Sequence, residues 1–258
     1  MSDEDTLDGK DEDKPALDIA CLSPDCRRAT LVSTTGNHCQ VWRGSYKQLA
    51  DDSDEGYTEF VIKFPLDQYH DADARILAKQ YGLLRDAMGK MVPAALFVIS
   101  RINGKPNLFV LARAVNIWFN IANPRNREEA IGLLRDSPIA RDQLRRFLDQ
   151  ARRWREGPNP RVIDLYGLDN LVMDNRRRIR FVDSFYVFFF EDMLHMLGGE
   201  PDVELQDKIN VSLARLDYLR EILDLAEQAL VQMSDQEPEQ EPEQQPEALP
   251  EPGQQPDR

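Results

Sequence analysis

The sequence has no apolar run long enough to span a bilayer, and its first residues lack the basic-then-apolar pattern of a secretory signal. A cytoplasmic location without a transmembrane segment is the expectation. Cysteine is scarce: Cys21, Cys26 and Cys39 are odd in number and lack metal-ligand spacing. They argue against a disulfide framework and read as free thiols in a reducing compartment. Histidine is as scarce, and His38, His70 and His195 are too scattered for a metal site or a catalytic triad. An excess of positive charge is missing too. The 258-residue chain carries a net charge of −14, concentrated at its ends. Residues 1–18 hold eight acids against two lysines, and residues 234–258 hold eight acids against one arginine. The intervening 19–233 is left at −1, which disfavours nucleic acid as a partner.

Both acidic ends have little to bury. The last stretch, DQEPEQEPEQQPEALPEPGQQPDR, is Glu, Pro and Gln, which cannot recover the entropy cost of ordering. Residues 1–18 and 234–258 are therefore expected to be disordered. They serve as solubilising tails or as docking segments for a protein partner.

Within 19–233, strand signals come first and helix signals follow. RATLVSTTGNHCQVWRGSYKQL offers two β-like runs around a polar turn, and TEFVIKFP alternates as a strand with Phe60, Ile62 and Phe64 on one face. DADARILAKQYGLLRDAMG has helical spacing at Ile76, Leu77, Leu83 and Leu84, behind aspartates suited to a helix N-terminus. AALFVIS and NLFVLARAV, around RINGKP, read as a hairpin. After residue 115 the pattern turns helical, with a break near Ser137-Pro138 and an apolar stripe at Leu144, Phe147, Leu148 and Ala151. The expected class is α+β: a β-rich lobe over about 19–115 and a short helical lobe over about 116–233. A cleft between them would hold the ligand.

RVIDLYGLDNLVMDNRRRIRFVDSF interrupts the helical half with two short apolar runs joined by a basic turn. Asp164 and Asn170 precede the first run and Asp183 closes the second. An amide oxygen and a carboxylate presented by one strand pair suit Mg²⁺, a hard ion usually shared between one or two carboxylates and substrate phosphates. A hairpin merely capped by polar residues is the alternative. Lys63 needs a reason on its apolar strand, because lysine is rarely buried without a partner. An edge-strand lysine that blocks aggregation is its alternative.

Taken in order, these pieces resemble the protein-kinase-like superfamily, which includes aminoglycoside phosphotransferases and small atypical bacterial kinases. TTGNHCQVWRG resembles the glycine-rich hairpin over nucleotide phosphates, with Thr34 and Cys39 in place of two of the glycines. VIKFP resembles the family's lysine strand, DARIL the helix bearing its partner acid, and the Asn170-to-Asp183 spacing the metal-binding hairpin. The resemblance covers roughly Thr30 to Leu197. It implies a bilobal fold binding ATP and Mg²⁺, with Gly36, Val41, Lys63 and Val172 against the nucleotide and Asn170 and Asp183 on the metal. Asp73, with nearby Asp71 competing for the role, would position Lys63, and Asp164 would orient or deprotonate an acceptor hydroxyl. Asp164 stands six residues before Asn170 where the family has five, with Gly167 allowing a bulge. The short helical lobe is closest in style to small kinase-like proteins linked to the PhoP regulatory network. The acceptor is open among a protein hydroxyl, a sugar and a small molecule. A pseudokinase serving as a regulatory binding module is the rival reading.

Overall fold

The computed structural model describes residues 16–17, 29–33, 39–47, 57–102, 105–194 and 202–234. Its first half is an antiparallel sheet. The strands are β1 (Ala16–Leu17), β2 (Ala29–Ser33), β3 (Cys39–Lys47), β4 (Tyr57–Pro65), β5 (Ala95–Ile102) and β6 (Lys105–Arg113), in the order β1-β2-β3-β4-β6-β5. The second half is mainly helical, so the architecture is α+β with the sheet first. The turn that carries Gly36 lies outside the described residues, as do residues 1–15, 18 and 235–258 of the acidic ends. Ala16 and Leu17, expected to be disordered, instead pair with Thr30 and Ala29, and Ser234 ends the last helix.

Alternation gives the sheet two different faces. Phe60 and Ile62 cluster with Trp42 on one side, where Phe64, Leu31, Phe109 and Leu111 join them. On the other side Val61 packs with Cys39, Val41, Leu108, Val110 and Ala112 beneath the helix α1 (Asp71–Met88). Lys63 has the parity of Val61, and the register sets it directly opposite Val41 on β3.

α1 begins where the aspartates placed it. Asp73 Oδ2 accepts from the His70 backbone N–H at 3.0 Å in a capping box, and Asp71 pairs with Arg75 at 3.0 Å. The helix is rotated from its expected stripe. Its buried line is Ala74, Leu77, Tyr81, Leu84 and Met88, while Ile76 and Leu83 are exposed. That line joins the two halves: Ala74 and Leu77 belong to the sheet's cluster, and Tyr81, Leu84 and Met88 to the helical core.

In the second half, α2 (Arg127–Asp136) and α3 (Pro138–Glu156) are separated at Ser137, whose hydroxyl accepts from Ala140 N–H at 3.3 Å. α3 buries Leu144, Phe147, Leu148 and Ala151 together with Ala140 and Trp154. Three short strands, β7 (Ile117–Phe119), β9 (Leu171–Asp174) and β10 (Ile179–Phe181), form a second sheet in the order β10-β9-β7. β8 (Val162–Ile163) pairs with β11 (Phe188–Phe189). The 32-residue α4 (Val203–Ser234) contributes Leu219, Ile222, Leu223 and Ala226 to the same core. Among the described residues, no helix is long and apolar enough to cross a membrane.

Candidate functional site

The β9–β10 hairpin is fixed from its turn. Asp174 Oδ1 accepts from the N–H groups of Arg176 and Arg178 at 2.9 and 3.0 Å, and its Oδ2 accepts from Arg180 Nε at 2.8 Å. Burial alone would raise this carboxyl, but the Arg180 ion pair and the two turn N–H groups hold it below the usual range. With the turn locked, Leu171 pairs with Phe181, and Val182 N–H donates to Asn170 O at 2.9 Å. Asn170 and Asp183 therefore flank the open end of one ribbon.

Lys63 reaches that end from the other half of the molecule. Its Nζ donates to Val182 O at 2.6 Å and stands 3.9 Å from Asp183 Oδ1. Both side chains are largely buried, at 10% and 19% exposure. A buried ammonium needs compensation of this kind. Asp183 Oδ1 also accepts from Ser184 and Phe185 N–H, at 2.6 and 3.2 Å, which holds the carboxylate in a tight turn.

Asp164 follows β8, its N–H bonded to Val187 O at 3.0 Å. Its carboxylate accepts from Tyr166 N–H at 2.7 Å and is 4% exposed. Burial first, and the Asp183 charge second, push its pKa up to about 7. Asp164 and Asp183 thus feel one another. The loop between Asp164 and Asn170 is closed by Asn170 Nδ2 donating to Asp164 O at 3.2 Å. At Gly167 a Cβ would stand 2.4 Å from Asn170 Oδ1. Only glycine admits that close approach.

The remaining sequence candidates divide. Val41 lies opposite Lys63, as noted. Val172 is fully buried, and strand alternation turns it away from the face on which Leu171 and Met173 join the helical core. Asp73 is not brought to Lys63: its carboxylate is spent on the helix cap and its side chain is exposed. The line of α1 that faces inward carries no acid, and Tyr81 occupies it instead, donating to Pro93 O at 2.7 Å. Lys63 finds its counter-charge in Asp183.

Sequence reasoning missed three side chains of α4. Ser212, fully buried, accepts from Leu165 N–H at 3.0 Å, and Arg215 donates to the carbonyls of Leu165 and Tyr166. Lys208 lies one turn earlier, close enough for its charge to lower the Asp164 pKa. Their signal was weak, because the helix sits more than forty residues downstream of the loop it supports.

The Asn170 amide oxygen and the Asp183 carboxylate, at adjacent strand ends, are hard oxygen donors of the kind Mg²⁺ takes. Among the described residues no cluster of three or more His, Cys, Asp or Glu side chains could hold a metal by itself. A cavity of about 120 Å³ between α3 and α4, lined in part by Leu148, Arg152, Arg155 and Arg220, includes none of these side chains. No family model matches the chain, and no curated protein matches it either.

Proposed function

We propose that this protein is an ATP- and Mg²⁺-dependent phosphotransferase of protein-kinase-like build, transferring the γ-phosphate to a hydroxyl acceptor. One observation carries the reading: Lys63 of the first sheet and Asp183 of the second ribbon, 120 positions apart, meet at 3.9 Å in a largely buried setting. The sheet order β2-β3-β4-β6-β5, the helix inserted between β4 and β5, and the loop–hairpin order of Asp164, Asn170 and Asp183 all accord with it.

In this reading Lys63 takes the α- and β-phosphates, Val41 and Val172 enclose the base, and Gly36 belongs to the turn above. Asn170 and Asp183 would hold the metal, which would supply neutralisation of the phosphate charge. Asp164, with a pKa near 7, is poised to accept the hydroxyl proton as the acceptor attacks. Positioning and charge neutralisation supply most of the catalysis.

A second reading has a specific observation behind it. Without an acid on the inward face of α1, Lys63 is held by Asp183 and Val182 O rather than by the helix. A nucleotide-binding regulatory module, with the acidic ends docking a protein partner, would tolerate that arrangement. The test is thermal unfolding with ATP, with and without Mg²⁺, followed by ATP turnover in wild type, Asp183→Ala and Asp164→Ala. A Mg²⁺-dependent rise in melting temperature with turnover lost in both variants supports the enzyme. The same rise without wild-type turnover favours the module, and no rise rejects nucleotide binding.

A further inference from the structure

The loop that carries Asp164 has no cation of its own: Leu165, Tyr166, Gly167, Leu168 and Asp169 fill the interval to Asn170. Positive charge arrives from α4 instead. Lys208, Ser212 and Arg215 follow one another at spacings of four and three, so they share one face of the helix. Ser212 and Arg215 bond directly to the backbone of Leu165 and Tyr166, which fixes that face against the loop.

Lys208 is more buried than its ion pair explains. Its Nζ is 2.7 Å from Glu204 Oε1, yet the lysine side chain is 16% exposed and the glutamate 79%. The pair of the same spacing on α1, Arg75 with Asp71, leaves its partners 80% and 61% exposed. The lysine side chain is thus largely covered on the helix face that Ser212 and Arg215 hold against the loop, while its acid stays in solvent. With the acid in solvent, the pair costs little to open.

We propose that Lys208 is the cation that meets the transferring phosphoryl group on the acceptor side of Asp164, with Ser212 and Arg215 as positioning residues that pin the loop to α4. The assignment rests on the phosphotransferase reading. In the transfer step the acceptor oxygen bonds to the γ-phosphorus as its proton passes to Asp164. The bond from that phosphorus to the bridging oxygen breaks, and its electron pair leaves on ADP. Charge is then spread over the equatorial oxygens. Lys63 stays on the α- and β-phosphates, and Lys208 meets these oxygens from the acceptor side.

The test uses the full chain, with Mg²⁺–ADP and Mg²⁺–ADP–aluminium fluoride as probes of the ground and transition states. Lys208→Met is expected to bind ADP within about twofold of wild type and the fluoride complex about 100-fold more weakly. Lys208→Arg recovers most of that loss. ATP turnover with water as acceptor falls in parallel in Lys208→Met, with KM unchanged. Equal fluoride-complex affinity in wild type and Lys208→Met overturns the assignment while leaving the functional reading standing. A wild type that binds neither ADP nor ATP with Mg²⁺ overturns both. If Lys208→Met does not fold, Lys208→Gln is read in its place, and unchanged affinity there counts equally against the proposal.

Discussion

Asp164→Asn is expected to stabilise the protein, by an amount that depends on pH. The wild type buries a carboxyl whose pKa is raised from 3.8 to about 7, by burial first and by the Asp183 charge second. The Tyr166 N–H, Lys208 and Arg215 oppose the shift without cancelling it. Because the folded-state value lies above the unfolded one, the folded protein binds the proton more tightly. The cost is absent below about pH 4, grows as pH rises, and is complete above about pH 7. At about 1.4 kcal/mol per pH unit, the full cost is on the order of 4 kcal/mol. Asparagine keeps the side-chain shape, and its Oδ1 still accepts the Tyr166 N–H now bonded at 2.7 Å. Urea unfolding of both proteins, without nucleotide or magnesium, reads the effect. The advantage of the variant should rise from under about 2 kcal/mol near pH 5 to about 4 kcal/mol near pH 8. A difference that is flat with pH, or a variant less stable near pH 8, would refute the burial argument. The same substitution would remove the proposed proton acceptor, so the phosphotransferase reading expects turnover to be lost as stability is gained.

Gly167→Ala places a Cβ 2.4 Å from Asn170 Oδ1, so the amide must swing away. Mg²⁺-dependent nucleotide binding should weaken about tenfold or more, measured by calorimetric titration, while the fold persists. Asp73→Ala removes one half of the capping box at the start of α1, the bond accepted from His70 N–H, and should cost about 1 kcal/mol in urea unfolding. It should leave nucleotide affinity unchanged, since Lys63 pairs elsewhere. Asp174→Ala strips the hairpin turn of three hydrogen bonds, including that from Arg180, and should lower stability by about 2–4 kcal/mol. Denaturant unfolding checks it, and a loss under about 0.5 kcal/mol would mean the turn holds itself.

Strand and helix order could be read from the sequence because alternation and helical spacing are local properties. That Lys63, Asn170 and Asp183 stand out is legible for a related reason: each sets a charge or amide against an apolar pattern, and the structure brings Lys63 within 3.9 Å of Asp183. The rotation of α1 could not. Ile76 and Leu83 match the helical spacing as well as Tyr81 does, and only packing against the sheet and core selects the line from Ala74 to Met88. That rotation also removed Asp73 from the site, because a position in a motif does not fix which way a helix faces. Ser212 and Arg215 were hidden for the opposite reason. On a long amphipathic helix a serine and an arginine look like solvated residues, and their partners are backbone groups of a distant loop.

Manganese, followed by electron paramagnetic resonance with ATP present, reports directly on whether the ribbon end beside Lys63 holds a divalent ion. Wild type should bind Mn²⁺ in the presence of nucleotide, and Asp183→Asn should bind it at least about tenfold more weakly, as loss of a direct carboxylate ligand requires. Equal manganese affinity in the two proteins would contradict the site.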